Sequence, residues 1–254
     1  MKDLWKWLGN IITVLLLTAC QSKPDVKITV AVAANMHYTI KELITVYNQN
    51  HQGKIEVVSG SSGKLTQQIL HGAPYDIFIS ADTLYPQILV EKGFAEIPAK
   101  IYANGVLVFW STKTNFELDK IGSILFDAHV KHIAIANPQT APYGKAAIEW
   151  MKLNGLYEQN EKKIVVGENI SQASQFIMTG NADVGFTAKS IVLSTTLKNT
   201  GKWIELDGYP SIKQSAVLLK HAKSSNEILA KDFYEFLYSD TAKKILKQSG
   251  YLVQ

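Results

Sequence analysis

From residue 27 onward the chain alternates between two hydrophobic rhythms. Short β-branched and apolar runs are followed by stretches in which apolar positions return every three or four residues. Residues 27–34 (KITVAVAA) have the continuous apolar character of a strand buried on both faces. Ile40, Leu43, Ile44 and Tyr47 follow at the spacing of one helical face. A strand over 54–59, a helix over 63–71 with Leu65 and Ile69 on one face, a strand over 76–80 and a helix over 83–92 continue the series.

Later residues repeat the order. Strands are predicted at 106–111 and 132–136, and a helix at 144–154 with Ala147, Trp150 and Met151 inward. A strand at 164–166 precedes a helix at 172–179 that turns Ala173, Phe176 and Ile177 inward. Strands at 184–187, 203–206 and 215–219 and helices at 226–239 and 241–248 complete the chain. Alternating strands and helices imply α/β layers with mostly parallel sheets. The number of strands suits two smaller sheets better than one.

Composition narrows the picture. The 254 residues are 46% hydrophobic and 19% charged, as in an ordinary soluble globular protein. A formal net charge of +4, without a Lys/Arg run interleaved with aromatics, argues against a nucleic-acid partner. No repeat or low-complexity segment is visible.

The first twenty residues differ from the rest. Lys2 and Lys6 precede an apolar run from Ile11 to Leu17, broken only by Thr13. A basic start and an apolar stretch of roughly 7–15 residues describe a secretory signal. The run is shorter than the ~20 residues that span a bilayer. Cys20 is the sole cysteine, so no intramolecular disulfide can form. Leu17-Thr18-Ala19-Cys20 resembles the lipobox of bacterial lipoproteins. That resemblance implies a signal peptide over 1–19, cleavage before Cys20, lipid on Cys20 and a short tether over 20–26. The protein is then expected to be exported, periplasmic and membrane-anchored through its lipid, with Gln21 permitting transfer to an outer membrane. A plain signal peptide with a chance cysteine is the alternative.

Four junctions carry candidate chemistry. They are Ala33-Ala34-Asn35, Ser59-Gly60-Ser61-Ser62-Gly63, Asn137 through Pro142-Tyr143-Gly144, and Gly167-Glu168-Asn169-Ile170-Ser171. At each, a strand ends in small or polar residues and a helix begins. Helix starts leave backbone N–H groups without intrahelical partners and carry the positive end of the helix dipole. Such ends bind anions without a cationic side chain. In open α/β sheets, ligands bind beyond the carboxyl ends of the strands, where all four junctions lie. Taken singly, each junction reads first as a satisfied helix cap rather than a ligand site, and Gly60 and Gly63 are equally explained by a tight turn.

At the same residues the chain resembles the periplasmic molybdate-binding proteins of ABC importers, from Lys27 to Val253. The most specific stretch runs from Ser61-Ser62-Gly63-Lys64-Leu65 through Gln68-Ile69, Gly72-Ala73-Pro74 and Asp76 to Phe78, Ser80, Ala81 and Asp82. Asn137-Pro138, Pro142-Tyr143-Gly144 and Gly185-Phe186 fit the later family positions. The resemblance implies a type II periplasmic-binding-protein fold, with two α/β lobes of mixed, mostly parallel sheets joined by two crossing strands. Lobe one is expected at 27–107 plus 218–254 and lobe two at 108–217, with crossings near 107–110 and 216–219. The implied ligand is molybdate, or tungstate, held by Asn35 and Ser62 through side chain and main chain, and by the main-chain N–H groups of Tyr143 and Ile170. Ser61 flanks this set. No cofactor and no enzymatic activity are expected. The implied partners are an ABC permease and its ATPase, and the implied state is a monomer. Some members add a tyrosine hydroxyl where this chain has Ala188, so either one donor is missing or Tyr143 or Thr187 replaces it.

Neutral donors suit such a ligand. A fully deprotonated dianion presents only acceptors, and Glu168 is the one carboxylate close to the expected set. Another ligand for the same fold, such as sulfate or an iron chelate, remains an alternative, and a serine hydrolase a remote one. The segment 60–64 lacks both phosphate-loop and nucleophile-elbow spacing. The six histidines form no ligand pair of the H-x-x-x-H kind. Asp76 and Asp82 read as capping or turn residues, and Trp110, Trp150 and Trp203 as packing.

Overall fold

A computed structural model describes residues 26–113 and 115–253. The expected signal peptide, Cys20 and nearly all of the tether lie outside the described residues.

Two five-stranded sheets form the frame. The first has the order β2-β1-β3-β10-β4, the second β7-β6-β8-β5-β9. The strands are β1 (Lys27–Ala33), β2 (Lys54–Gly60), β3 (Ile77–Ile79), β4 (Lys100–Gly105), β5 (Leu107–Ser111), β6 (Ile133–Ala136), β7 (Ile164–Gly167), β8 (Val184–Ala188), β9 (Lys202–Glu205) and β10 (Ile212–Leu218). In each sheet three strands are mutually parallel and the last two alternate in direction. The two sheets therefore share one topology.

Each apolar run takes the place its composition demands. β1 is buried almost throughout and lies between β2 and β3. Met36, Ile40, Leu43, Tyr47 and Phe233 cover one face of the first sheet. Leu65, Ile69, Phe78 and Leu89 lie in the cluster on the other. Burial of both faces is what a continuous apolar strand requires. The second sheet has its own core, containing Phe109, Trp110, Trp150 and Phe186. The indoles of Trp110 and Trp150 donate to the carbonyls of Thr200 and Asp207 at 2.8 and 2.9 Å. Trp203 packs at the core edge.

The change of sheet falls at Val106, between β4 and β5, and again in residues 206–211, between β9 and β10. This differs from the expected boundaries. β10 lies wholly in the first sheet, although residues up to 217 were expected in the second lobe. β4 was not expected at all. Its sequence, KIYANG, mixes Lys, Asn and Gly with the apolar residues, and it is an edge strand paired in the sheet with β10 alone. An edge strand tolerates polar residues that a central one does not.

Asp76, at the start of β3, is 1% exposed. Its carboxylate accepts the Thr29 N–H at 2.6 Å, His221 Nδ1 at 2.7 Å and the Ser225 hydroxyl. The group thus ties β1 to the segment after β10.

Candidate functional site

The helices that matter begin where the parallel strands end. After β1 comes a single 3-10 turn, Ala34–Met36. After β2 comes α2 (Ser62–Leu70), the helix following α1 (Thr39–Tyr47). Then come α3 (Leu84–Glu91) and α4 (Ile121–Phe126), and after β6 comes α5 (Pro142–Leu153). The short α6 (Tyr157–Asn160) is followed, beyond β7, by α7 (Ile170–Met178). The 3-10 turn and α2 belong to the first lobe, α5 and α7 to the second. All four starts face one cavity between the lobes, lined by Asn35, Ser61, Ser62, Tyr143 and Ile170 among others.

At α5, Pro142 has no N–H, and Gly144 donates to Ala141 O at 2.9 Å. Tyr143 therefore supplies the first-turn N–H that has no backbone acceptor. At α7, the Asn169 side chain caps the Gln172 N–H at 3.1 Å, and Ala173 bonds back to Asn169 O. That leaves the Ile170 N–H at the first helical position. At α2, the Ser62 hydroxyl oxygen accepts the Ala81 N–H at 3.1 Å, so its own proton is available to a second partner. The Ser61 hydroxyl is buried and has no hydrogen-bond partner among the described residues.

Asn35 behaves otherwise than expected. Its side-chain amide, expected to face the ligand, donates to Gln214 Oε1 at 2.9 Å and to the Tyr251 hydroxyl at 3.0 Å. Its Oδ1 is buried without a hydrogen-bond partner among the described residues, and the main-chain N–H at the second position of the turn is the donor Asn35 has left for the cavity. The tyrosine question also resolves locally. Ala188 is fully buried at the end of β8 and does not line the cavity. The Thr187 hydroxyl contacts that of Ser174, and the Tyr143 hydroxyl accepts from Gln214 Nε2. Burial holds the Tyr143 phenol well above its ordinary pKa, so it stays protonated.

The cavity is small and uncharged. Its volume is about 10 Å³. That is far below the ~300–1,000 Å³ of sites for drug-sized ligands. Among the described residues, no Asp, Glu, Lys or His lines it. Glu168, the nearby carboxylate, pairs across the cleft with Lys64 at 2.9 Å, both side chains half exposed. Further bonds hold the lobes together. Gly63 N–H donates to Thr140 O at 2.9 Å, Ser171 Oγ to Ala34 O at 3.0 Å, Ser190 Oγ to Asn35 O at 2.9 Å and the Tyr85 hydroxyl to Gln139 O at 3.2 Å.

Comparison with known proteins places this geometry. A family model described as bacterial extracellular solute-binding protein matches residues 28–252. The chain belongs to that family. The molybdate-binding protein ModA of Rhodobacter capsulatus is 39% identical over 90% of this chain and 89% of its own. The solved periplasmic molybdate-binding protein of Azotobacter vinelandii superposes with a TM-score of 0.83 at 33% identity, covering 89% of this chain and 99% of that one. A sulfate-binding protein, SubI from Mycobacterium tuberculosis, shares the fold at a TM-score of 0.75 and 15% identity, covering 89% of this chain and 86% of that one. The expected type II periplasmic-binding-protein fold is the one this solute-binding protein has.

Within this solute-binding protein, sequence reasoning placed Thr140 and Ser171 inside candidate junctions but not as interlobe partners, and missed Ser190 and Gln214 altogether. Three donate or accept through groups that any loop or helix could carry, and no spacing marks them. Gln214 had a weak signal, a long polar side chain inside an otherwise apolar strand (IKQSAVL).

Proposed function

We propose that this protein captures molybdate, or the closely similar tungstate, in the interlobe cleft and delivers it to the permease and ATPase of an ABC importer. The observation that carries the reading is the convergence of four helix or turn starts, two from each lobe, on one small and uncharged cavity. A dianion there meets a set of neutral donors: the main-chain N–H groups of Asn35, Ser62, Tyr143 and Ile170 and the hydroxyls of Ser62 and Ser61. Oxyanion and N–H pair as charge-assisted hydrogen bonds, roughly twice as strong as neutral ones. Closure excludes water, which strengthens each bond further. The names of the relatives in Rhodobacter and Azotobacter support molybdate as the ligand. Protonated phosphate would bring a hydroxyl into a site made of donors, and the mismatch costs about 1–3 kcal/mol.

The protein acts as a binding component, not an enzyme. The Ser62 hydroxyl contacts a backbone N–H rather than a base, which supports a holding role for it. Export to the periplasm as a monomer, with a lipid on Cys20 holding the chain to the membrane, completes the reading. The lipobox-like Leu17-Thr18-Ala19-Cys20 supports the anchor, and multi-chain lipidation gives firm attachment.

A thermal-shift screen with molybdate, tungstate, sulfate, phosphate and vanadate tests the reading. Ligand at 100 times Kd stabilises by about 2.7 kcal/mol, and molybdate and tungstate are expected to raise the midpoint most. A midpoint unmoved by every oxyanion sinks the proposal. Ser62→Ala removes one hydroxyl donor and keeps the main-chain one. It is expected to weaken molybdate binding by about 1.5 kcal/mol, roughly tenfold. Calorimetry showing unchanged affinity in that variant removes the Ser62 hydroxyl from the site.

A further inference from the structure

We infer that Gln214 is a positioning residue for the anion site, joining its two halves across the hinge. The inference rests on the oxyanion reading of the cleft. Gln214 lies in β10, in the first lobe, and is fully buried. The register of β10 with β4 shifts between Gln214 and Ser215, and such irregularities re-aim side chains. Gln214 Oε1 accepts from the Tyr102 hydroxyl at 2.7 Å and from Asn35 Nδ2 at 2.9 Å, both in the first lobe. Its Nε2 donates to the Tyr143 hydroxyl at 3.0 Å, in the second lobe.

Two of these partners, Asn35 and Tyr143, also present main-chain N–H groups to the cavity. One side chain therefore sets donors on opposite walls of the site. The local chain is built around this contact. Gly105 ends β4 just before the first crossing, and a Cβ there would sit 2.1 Å from Tyr143 Oη and 2.3 Å from Gln214 Nε2. A neutral amide suits the place because it accepts on one side and donates on the other. A charged side chain would do neither without burying charge next to a dianion.

The test is a double-mutant cycle on Gln214→Met and Tyr143→Phe. Molybdate affinity is read by calorimetry, kon and koff by stopped-flow tryptophan fluorescence, and ligand-free Tm by calorimetric scan. Tyr143→Phe deletes the interlobe bond and leaves the Tyr143 N–H in place. Each single variant is expected to raise Kd about tenfold, the scale of one buried polar group left unpaired. The change is expected in koff, where interface changes mostly act. The double variant is expected to bind no more weakly than the weaker single variant, because the one bond that Tyr143→Phe deletes is among the three that Gln214→Met deletes. A purely structural role would lower Tm and leave koff unchanged. Unchanged Kd in Tyr143→Phe, or losses that add in the double variant, overturn the inference. If Gln214→Met does not fold, Tyr143→Phe decides alone by the same criterion. Failure of the unaltered protein to bind molybdate removes the function reading and this inference with it. Binding by the unaltered protein with unaffected variants removes the inference only.

Discussion

Ile170→Pro is expected to weaken molybdate binding by about 3 kcal/mol, more than a hundredfold, while the protein stays folded. Ile170 occupies the first helical position of α7. Proline is tolerated there because its missing N–H has no intrahelical partner and its φ suits a helix. The same chain already places Pro142 at the start of α5. Asn169, the residue before, is extended at φ −145° and ψ 177°, a region open to residues that precede proline. The Asn169 cap on Gln172 is untouched. The substitution therefore deletes one donor and keeps the helix. The figure stands at the upper end of the range for bonds to charged groups because the ring also occupies the space beside the lost N–H. Ile170 is 4% exposed, so folding stability falls by about 1 kcal/mol from lost packing. Ile170→Val keeps the N–H and serves as the control. Calorimetry giving equal affinity for Ile170→Pro and the unaltered protein excludes the Ile170 N–H as an anion donor.

Gly144→Ala is expected to cost about 3 kcal/mol of folding stability without ligand. A Cβ at Gly144 would lie 2.1 Å from Ala136 O, 2.6 Å from Ala136 C and 3.0 Å from Asn137 C. All three are backbone atoms at the end of β6, so no side chain can swing aside. α5 must lift off the strand, and the Tyr143 N–H one residue before moves with it. Molybdate affinity is expected to fall as well. Gly122→Ala is the comparison, since the nearest atom to a Cβ there is a Leu156 methyl at 3.8 Å. That change is expected to be neutral or to stabilise by up to about 1 kcal/mol. Urea unfolding measures both, as a shifted midpoint at constant slope. Equal midpoints for the two variants would show that the contact of α5 with β6 is not tight.

The two variants also mark how legible the site was. Pro142-Tyr143-Gly144 and Asn169-Ile170 stand out in the chain because helix starts have residue preferences that are local. A proline without an N–H, a capping asparagine and a glycine at a tight junction each act over three or four residues. The serine pair before α2 was visible for the same reason. Asn35 was visible as both a side-chain and a main-chain candidate, but the partners of its amide were not, since the direction of an amide depends on residues far along the chain. Gln214 lies 179 residues away and Tyr251 216 residues away. β4 was missed because pairing with β10, not its own composition, makes it a strand.

By itself, then, the sequence determined the parallel core of each lobe, the four helix starts and the neutral character of the residues around them. These follow from periodicity and from capping chemistry, both short-range. Only the tertiary structure decided that the starts meet in pairs across one cavity, that Lys64 neutralises Glu168 at its rim, and that the chain changes sheet at Val106 and in 206–211. It alone engaged the Asn35 amide nitrogen with Gln214 and Tyr251. Those outcomes depend on contacts between residues far apart in the chain, and no local pattern encodes which distant partner a hydrogen-bonding group will find.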